Sequence, residues 1–222
     1  VTPSFTAYAR PTKRAMVWAD SISRQLSDTA SLVHTGTDQA WTALLQADLE
    51  ATGWRLSLCA WGSRQFAQDI KTSGGRTAIA AQQVAGLDGT TANVLIPNCG
   101  HNDKELSNGY TSKSALVSDL TAWRTEFGNQ ATAASIPGLT VQWITPYWGS
   151  NDANANGGGA GITMTDVRDA ITQVANAFGD PVADGLTFCT ATTGFGDGTH
   201  PRVGNPGHQQ IYTNARALAC FA

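Results

Sequence analysis

Ala15-Met16-Val17-Trp18-Ala19, followed at once by Asp20-Ser21, is a short apolar run without a polar break. That is how a strand buried on both faces reads, as in a parallel sheet covered by helices. Strand and helix patterns alternate along the chain from there. Residues 38–51 place Trp41, Leu44, Leu45 and Leu49 at helical spacing, and Gly53 ends that helix. Residues 54–60 read as a second strand, and 77–84 are Ala-rich with a weaker pattern. Residues 92–97 (Ala-Asn-Val-Leu-Ile-Pro) form a third strand. Residues 114–127 carry Leu116, Leu120, Trp123 and Phe127 on one helical face. Residues 139–145 alternate as a fourth strand, and 164–178 repeat the amphipathic pattern through Val167, Ile171, Val174 and Phe178. Residues 186–190 make a fifth strand. Asn205 as a cap with Pro206 at the first position opens a last helix, on which Ile211, Ala215 and Leu218 face inward. This order predicts an α/β protein: a three-layer α/β/α sandwich around a five-stranded parallel sheet, flavodoxin-like. The expected organisation is one domain over residues 1–222, with 1–12 as an N-terminal extension or linker; a chain of 222 residues suits one full-sized core.

Composition narrows the function. Charged residues make up 14% of the chain and the net charge is −3, so there is no basic surface for phosphates and nucleic acid is not an expected partner. No apolar run approaches the roughly 18 residues that a spanning helix needs. The chain begins at Val1, as a processed N-terminus or an excised domain would. Abundant Gly, Ala, Thr and Asn with seven Trp suggest an extracellular protein, secreted or part of a larger surface or virion protein. The four cysteines, Cys59, Cys99, Cys189 and Cys220, show no zinc spacing. Buried free thiols are the expectation, with Cys189–Cys220 the one pairing worth entertaining. No metal and no cofactor are expected.

In folds of this kind, ligand sites gather at the carboxyl ends of the strands. The first strand ends at Asp20-Ser21, the second at Trp61-Gly62-Ser63, and the third runs into Cys99-Gly100-His101-Asn102-Asp103. The fourth ends at Tyr147-Trp148-Gly149, and the fifth leads through a Gly-rich turn to Asp197-Gly198-Thr199-His200-Pro201. A hydroxyl, an imidazole and a carboxylate thus fall at one sheet edge. Ser21 is the candidate nucleophile, His200 the base and Asp197 the group that fixes its tautomer. An Asp-x-x-His turn alone is an ordinary capping pair; the weight lies in the joint, ordered occurrence. The backbone N–H groups of Ser21 and Gly62 and the Asn102 side-chain amide are candidate oxyanion donors, and glycine at 62 lets backbone approach substrate closely. No Gly-x-Ser-x-Gly elbow occurs, which argues against the α/β-hydrolase version of this chemistry.

These ordered blocks resemble those of the SGNH, or GDSL-type, hydrolases over nearly the whole chain. Ala19-Asp20-Ser21-Ile22 resembles the block that carries the nucleophile, with Ala19 and Ile22 where the family has glycine and leucine. Gly62 stands in the second block, with Ala60 where asparagine is common. Gly100-His101-Asn102-Asp103 is similar to the Gly-x-Asn-Asp block, and 197–201 to the block that supplies acid and base. The resemblance implies a serine esterase. Lipases, thioesterases and lysophospholipases belong to the same family, so it does not fix the acyl chain.

Polar, small loops at the strand ends favour a short acyl group, such as acetyl, on a carbohydrate or another polar alcohol. Trp61 and Trp148, with Tyr147 beside them, are candidates to stack on substrate. His101 is either a substrate contact or a structural histidine. His34 and His208 read as surface or helix-face residues, and Asp20 and Asp103 as carboxylates that accept local backbone N–H groups and stiffen their loops. Ser63 is a second hydroxyl without a marked partner. Residues 152–157 resemble the start of a calcium loop, but Thr163 stands where a bidentate glutamate is required; a flexible substrate-shaping loop is the simpler reading. The alternatives to a short-chain esterase are a longer-chain lipase or thioesterase, and a silent binding module on the same fold.

Overall fold

The computed structural model of the chain describes residues 10–20, 40–60, 65–105, 109–147, 161–185 and 207–221. Lys13–Ala19 is β1, Trp41–Glu50 α1, Trp54–Ala60 β2, Phe66–Ile70 α2 and Ser73–Gly86 α3. Ala92–Asn98 is β3, His101–Glu105 α4, Lys113–Ala133 α5, Leu139–Val141 β4 and Trp143–Ile144 β5. Met164–Phe178 is α6, Val182–Ala183 β6 and Gly207–Arg216 α7, with a 3-10 turn over Ala219–Phe221. Among the described residues no helix is long and apolar enough to cross a membrane.

Every strand pairing among the described residues is parallel. β1 lies between β2 and β3, and β4 flanks β3. The run from Leu139 to Ile144 changes partner at Gln142. Its first half bonds β3, ending with the Gln142 N–H on the Leu95 carbonyl at 2.9 Å, while the Trp143 N–H donates to the Pro181 carbonyl at 2.9 Å and β5 pairs with β6. The expected fourth strand is therefore two short pieces. The segment beside β5 is the two-residue β6, and the expected fifth strand, residues 186–190, lies outside the described residues.

The strand alternation sorts side chains between two cores. From β1, Met16 and Trp18 point to one side, where α2, α3, α5 and α6 supply Phe66, Ile79, Leu116, Leu120, Trp123, Phe127, Val167 and Ile171. Ala15, Val17 and Ala19 point to the other, against Trp41, Leu45 and Leu49 of α1 and Ile211 and Ala215 of α7. A strand whose neighbours on both faces are helices has no polar face, which is why β1 reads as an unbroken apolar run. On the first side the aromatic rings interlock: Trp18 and Trp123 are 4.8 Å apart, Trp123 and Trp143 5.4 Å and edge-on, Trp18 and Phe66 5.0 Å. Each such ring buries roughly 150–250 Å² and so dominates its layer.

The helix faces follow the expected periodicity with one exception. Leu116, Leu120, Trp123 and Phe127 are fully buried, as are Val167 and Ile171. Phe178 is instead 36% exposed, because it stands at the last turn of α6, where its ring sits under the Arg124 guanidinium at 5.0 Å. Gly179 ends α6 in the left-handed conformation (φ 70°). The Ala-rich segment is a full helix, α3, longer than the 77–84 window, capped by the Thr72 side chain accepting from Gly75 N–H.

Candidate active site

The chain leaves β1 for β2 on one side and then crosses to β3 on the other. Connections that depart in opposite directions leave a crevice at the carboxyl ends of β1 and β3, where α/β folds place their ligands. Asp20, His101 and Asn102 are among the sequence-marked residues described there. Asp20 follows β1 and is buried. β3 ends in Pro97-Asn98, and Cys99-Gly100 lead into α4 at His101.

Pro97 has no N–H to give the ladder, yet it lies in an inner strand. The partner switch explains it. Leu95 faces β4 with its carbonyl, so Pro97, two residues on, faces the same side. There the neighbouring chain has already turned to pair with β6. The Asn98 side-chain amide bridges the gap, donating to the Ile144 and Thr145 carbonyls at 3.3 and 3.5 Å.

The turn after β3 is held on several sides. Gly100 has φ 117°, and a Cβ there would lie 2.8 Å from Val167 Cγ1 and 2.9 Å from Phe66 Cε2, so only glycine fits. Asp103 N–H closes the turn on the Gly100 carbonyl at 3.2 Å. His101 is buried, at 1% exposure, and Asn102 is half-buried. Asp103 has no exposed surface. Its Oδ2 accepts Phe66 N–H at 2.7 Å and its Oδ1 accepts Ala67 N–H at 2.9 Å. Gln65, also fully buried, donates its side-chain amide to the Asn102 carbonyl at 3.0 Å. Burial pushes the Asp103 carboxyl up to about 7; the two amides pull it down, and the charges of Asp20 and Asp69 push it further up. Asp69 itself accepts the Trp18 indole N–H at 2.9 Å.

Of the residues assigned to the site from sequence, Asn102 and His101 are among those described, both in the first turn of α4. Ser21, Gly62, Trp61, Trp148, Asp197 and His200 lie outside the described residues, as do His34, Ser63 and the 152–157 segment. Three expectations are corrected. Tyr147 is 2% exposed and belongs to the core with Ile144 and Ile211, so its ring is packed and does not face substrate. His208 is not a surface residue: it is fully buried, and its Nδ1 accepts the Trp41 N–H at the start of α1 at 3.4 Å. The N–H partners of Asp103 are not local but lie 36 and 37 positions away. Thr163, at the final position of the calcium-like spacing, has its hydroxyl engaged in the capping box of α6 with Asp166. Cys59, Cys99 and Cys220 form no disulfide among the described residues, and burial pushes the Cys220 thiol up to about 12; Cys189 lies outside the described residues.

Gln65 and His208 carry no local pattern that marks them, since each acts on a residue distant in the chain. Gly100 stands in a recognisable block, and its positive φ supplies the physical reason for a glycine there.

No protein-family model matches the chain, and no curated protein matches it in sequence. Solved structures do match across nearly its whole length. A carbohydrate acetylesterase, Est24, from Sinorhizobium meliloti is 15% identical with a TM-score of 0.66, covering 92% of this chain and 95% of that one. A member of the lipolytic protein G-D-S-L family from Veillonella parvula is 13% identical with a TM-score of 0.64, covering 93% and 98%. A lipase/acylhydrolase from Enterococcus faecalis is 13% identical with a TM-score of 0.62, covering 91% and 93%. A parallel sheet flanked by helices gives this chain the fold of the GDSL/SGNH lipolytic esterases.

Proposed function

We propose that the chain is a serine esterase that removes short acyl groups, acetyl above all, from a carbohydrate or another polar alcohol. The observation that carries the reading is the built turn Gly100–Asp103 at the switch point of the sheet, beside the end of β1, where the chain continues from Asp20 into Ser21. Asn102 stands at the first turn of α4 while its neighbours on both sides are buried, so the turn presents that one residue. The fold shared with a carbohydrate acetylesterase supports the substrate class.

In this reading His200 takes the Ser21 Oγ proton as Oγ adds to the ester carbonyl. The resulting oxyanion accepts hydrogen bonds from the N–H groups of Ser21 and Gly62 and from the Asn102 side-chain amide. The intermediate collapses by breaking the bond to the alcohol oxygen, which leaves with the proton held by His200. Water then attacks the acyl-enzyme, giving its proton to His200, and the second collapse releases the carboxylic acid and returns the proton to Ser21. Asp197 keeps the imidazole in the required tautomer throughout and stabilises the imidazolium. Each oxyanion donor in such a site contributes roughly 10²–10³ in turnover.

The test is hydrolysis of p-nitrophenyl esters from acetate to palmitate by wild type and Ser21→Ala. Turnover greatest on the shortest acyl chains and lost in the variant is expected, with unchanged circular dichroism. An optimum on long chains would replace the short-acyl reading by that of a lipase or thioesterase. A folded wild type inert on every ester and on acetylated oligosaccharides would leave a binding module and sink the enzyme reading.

A further inference from the structure

We propose that Asp103 is a positioning residue for the oxyanion site, a staple that fixes the turn after β3 to the segment after β2 and so holds Asn102 in one orientation. The inference rests on the esterase reading above, in which Asn102 is a donor. Three consecutive residues, 65–67, grip two consecutive residues, 102 and 103. Gln65 Nε2 holds the Asn102 carbonyl at 3.0 Å, and the Phe66 and Ala67 N–H groups hold the two oxygens of Asp103 at 2.7 and 2.9 Å. The second candidate donor, Gly62, lies three residues before Gln65 in the sequence. The staple therefore ties the turn that carries Asn102 to residues 65–67, the stretch that follows the second candidate donor in the chain.

A carboxylate is an expensive group for this place. Its burial disfavours the charge, and Asp20 and Asp69 add repulsion. What it offers in return, once ionised above about pH 7, is geometry: charge-assisted bonds to two adjacent N–H groups are shorter and roughly twice as strong as neutral ones, and they fix direction as well as distance. The same turn is packed at Gly100 between Phe66 of α2 and Val167 of α6, without room for a side chain. Asn102 thus sits on a turn fixed by both helices. Its amide needs no reorganisation when charge develops, and that is the condition under which an oxyanion donor is effective.

A merely structural Asp103 would lower stability and leave its effect on turnover independent of Asn102. A positioning residue acts through Asn102, and a double-mutant cycle separates the two. On p-nitrophenyl acetate, Asp103→Asn should lower kcat by about 10-fold or more with KM within about threefold, a loss bounded by the roughly 10²–10³ of removing a donor outright. Made in an Asn102→Ala background, the same substitution should change kcat by less than about threefold, because the group it orients is gone. An unchanged kcat in the single variant, or a full repeat of the loss in the Asn102→Ala background, overturns the inference. If Asp103→Asn fails to fold by circular dichroism, Gln65→Leu removes the tie to the Asn102 carbonyl, together with the Gln65 side chain's part in the capping box of α2, and leaves Asp103 in place. It goes through the same cycle, where a loss confined to the Asn102 background supports the staple and an unchanged kcat or a repeated loss overturns it. Wild type and Ser21→Ala are assayed in the same series. An inert wild type or an active Ser21→Ala counts against the esterase reading itself, whereas a repeated loss counts only against the staple.

Discussion

Asp103 concentrates the electrostatic problem of this molecule in one side chain. Its carboxyl is pushed up to about 7 from an ordinary 3.8, chiefly by burial, with Asp20 and Asp69 adding to the shift against the pull of two backbone amides. Between those two values the folded chain holds a proton that the unfolded chain has released. The group therefore contributes stability that is full below about pH 4 and is lost as pH rises through about 7. Compared with Asp103→Asn, wild type should lose ground in urea unfolding as pH is raised from 4 to 7, by about 1.4 kcal/mol for each unit that the pKa is raised. A stability difference that stays constant over that range would contradict this. Gly100→Ala should cost at least about 1 kcal/mol in the same urea unfolding, since the residue would have to hold a positive φ and displace Phe66 or Val167. At this scale the sequence is legible in letters but not in causes. The block 100–103 stands out, yet the N–H groups that hold Asp103 come from residues 66 and 67, which no local pattern connects to it. Tyr147 and His208 differ from expectation for a related reason: a ring or an imidazole in a loop or at a helix start looks the same in sequence whether a neighbouring layer covers it or not.

Among the helices, α5 is the most legible. Its apolar residues recur at helical spacing, so its burial follows from the letters alone. Arg124, on the same helix, is secured by an arrangement that the letters hide. It grips Asp180 with two bonds at 2.7 and 2.9 Å, and Asp180 also accepts the Trp143 indole N–H at 3.0 Å. One carboxylate thus joins α5, β5 and the turn before β6. Asp180→Ala leaves a largely buried guanidinium and an indole N–H without their acceptor. It should destabilise by up to about 3–5 kcal/mol, read as a lowered urea midpoint with an unchanged slope; a loss below about 0.5 kcal/mol, as for an ordinary surface substitution, would refute that role. The partner switch at Gln142 is not legible, because the alternation of residues 139–145 continues unbroken while the hydrogen-bonding neighbour changes. β6 is hidden because two residues carry no period. Phe178 matches the helical spacing but stands at the open end of α6, where spacing no longer implies burial.

For the molecule as a whole, the order β2-β1-β3-β4, continued by β5 and β6, is what makes a site possible. A parallel sheet sends all its carboxyl ends to one edge, and the reversal at β1 opens that edge where Asp20 and the turn after β3 meet. Helices α1 and α7 close the opposite face and are joined by the Arg216–Asp48 ion pair and by His208 on the Trp41 N–H. That ordering is legible as alternation of strand and helix, since buried parallel strands and amphipathic helices differ in period. Trapping Ser21 tests whether it is the nucleophile of an esterase. Wild type is treated with diethyl p-nitrophenyl phosphate, the adduct is located by peptide mass spectrometry, and esterase activity is followed alongside. One diethylphosphoryl group per chain, on Ser21, with activity lost in proportion to labelling, is the predicted result. Modification of Ser63 or another residue in step with the loss of activity, or ester hydrolysis that persists with Ser21 fully labelled, would contradict it.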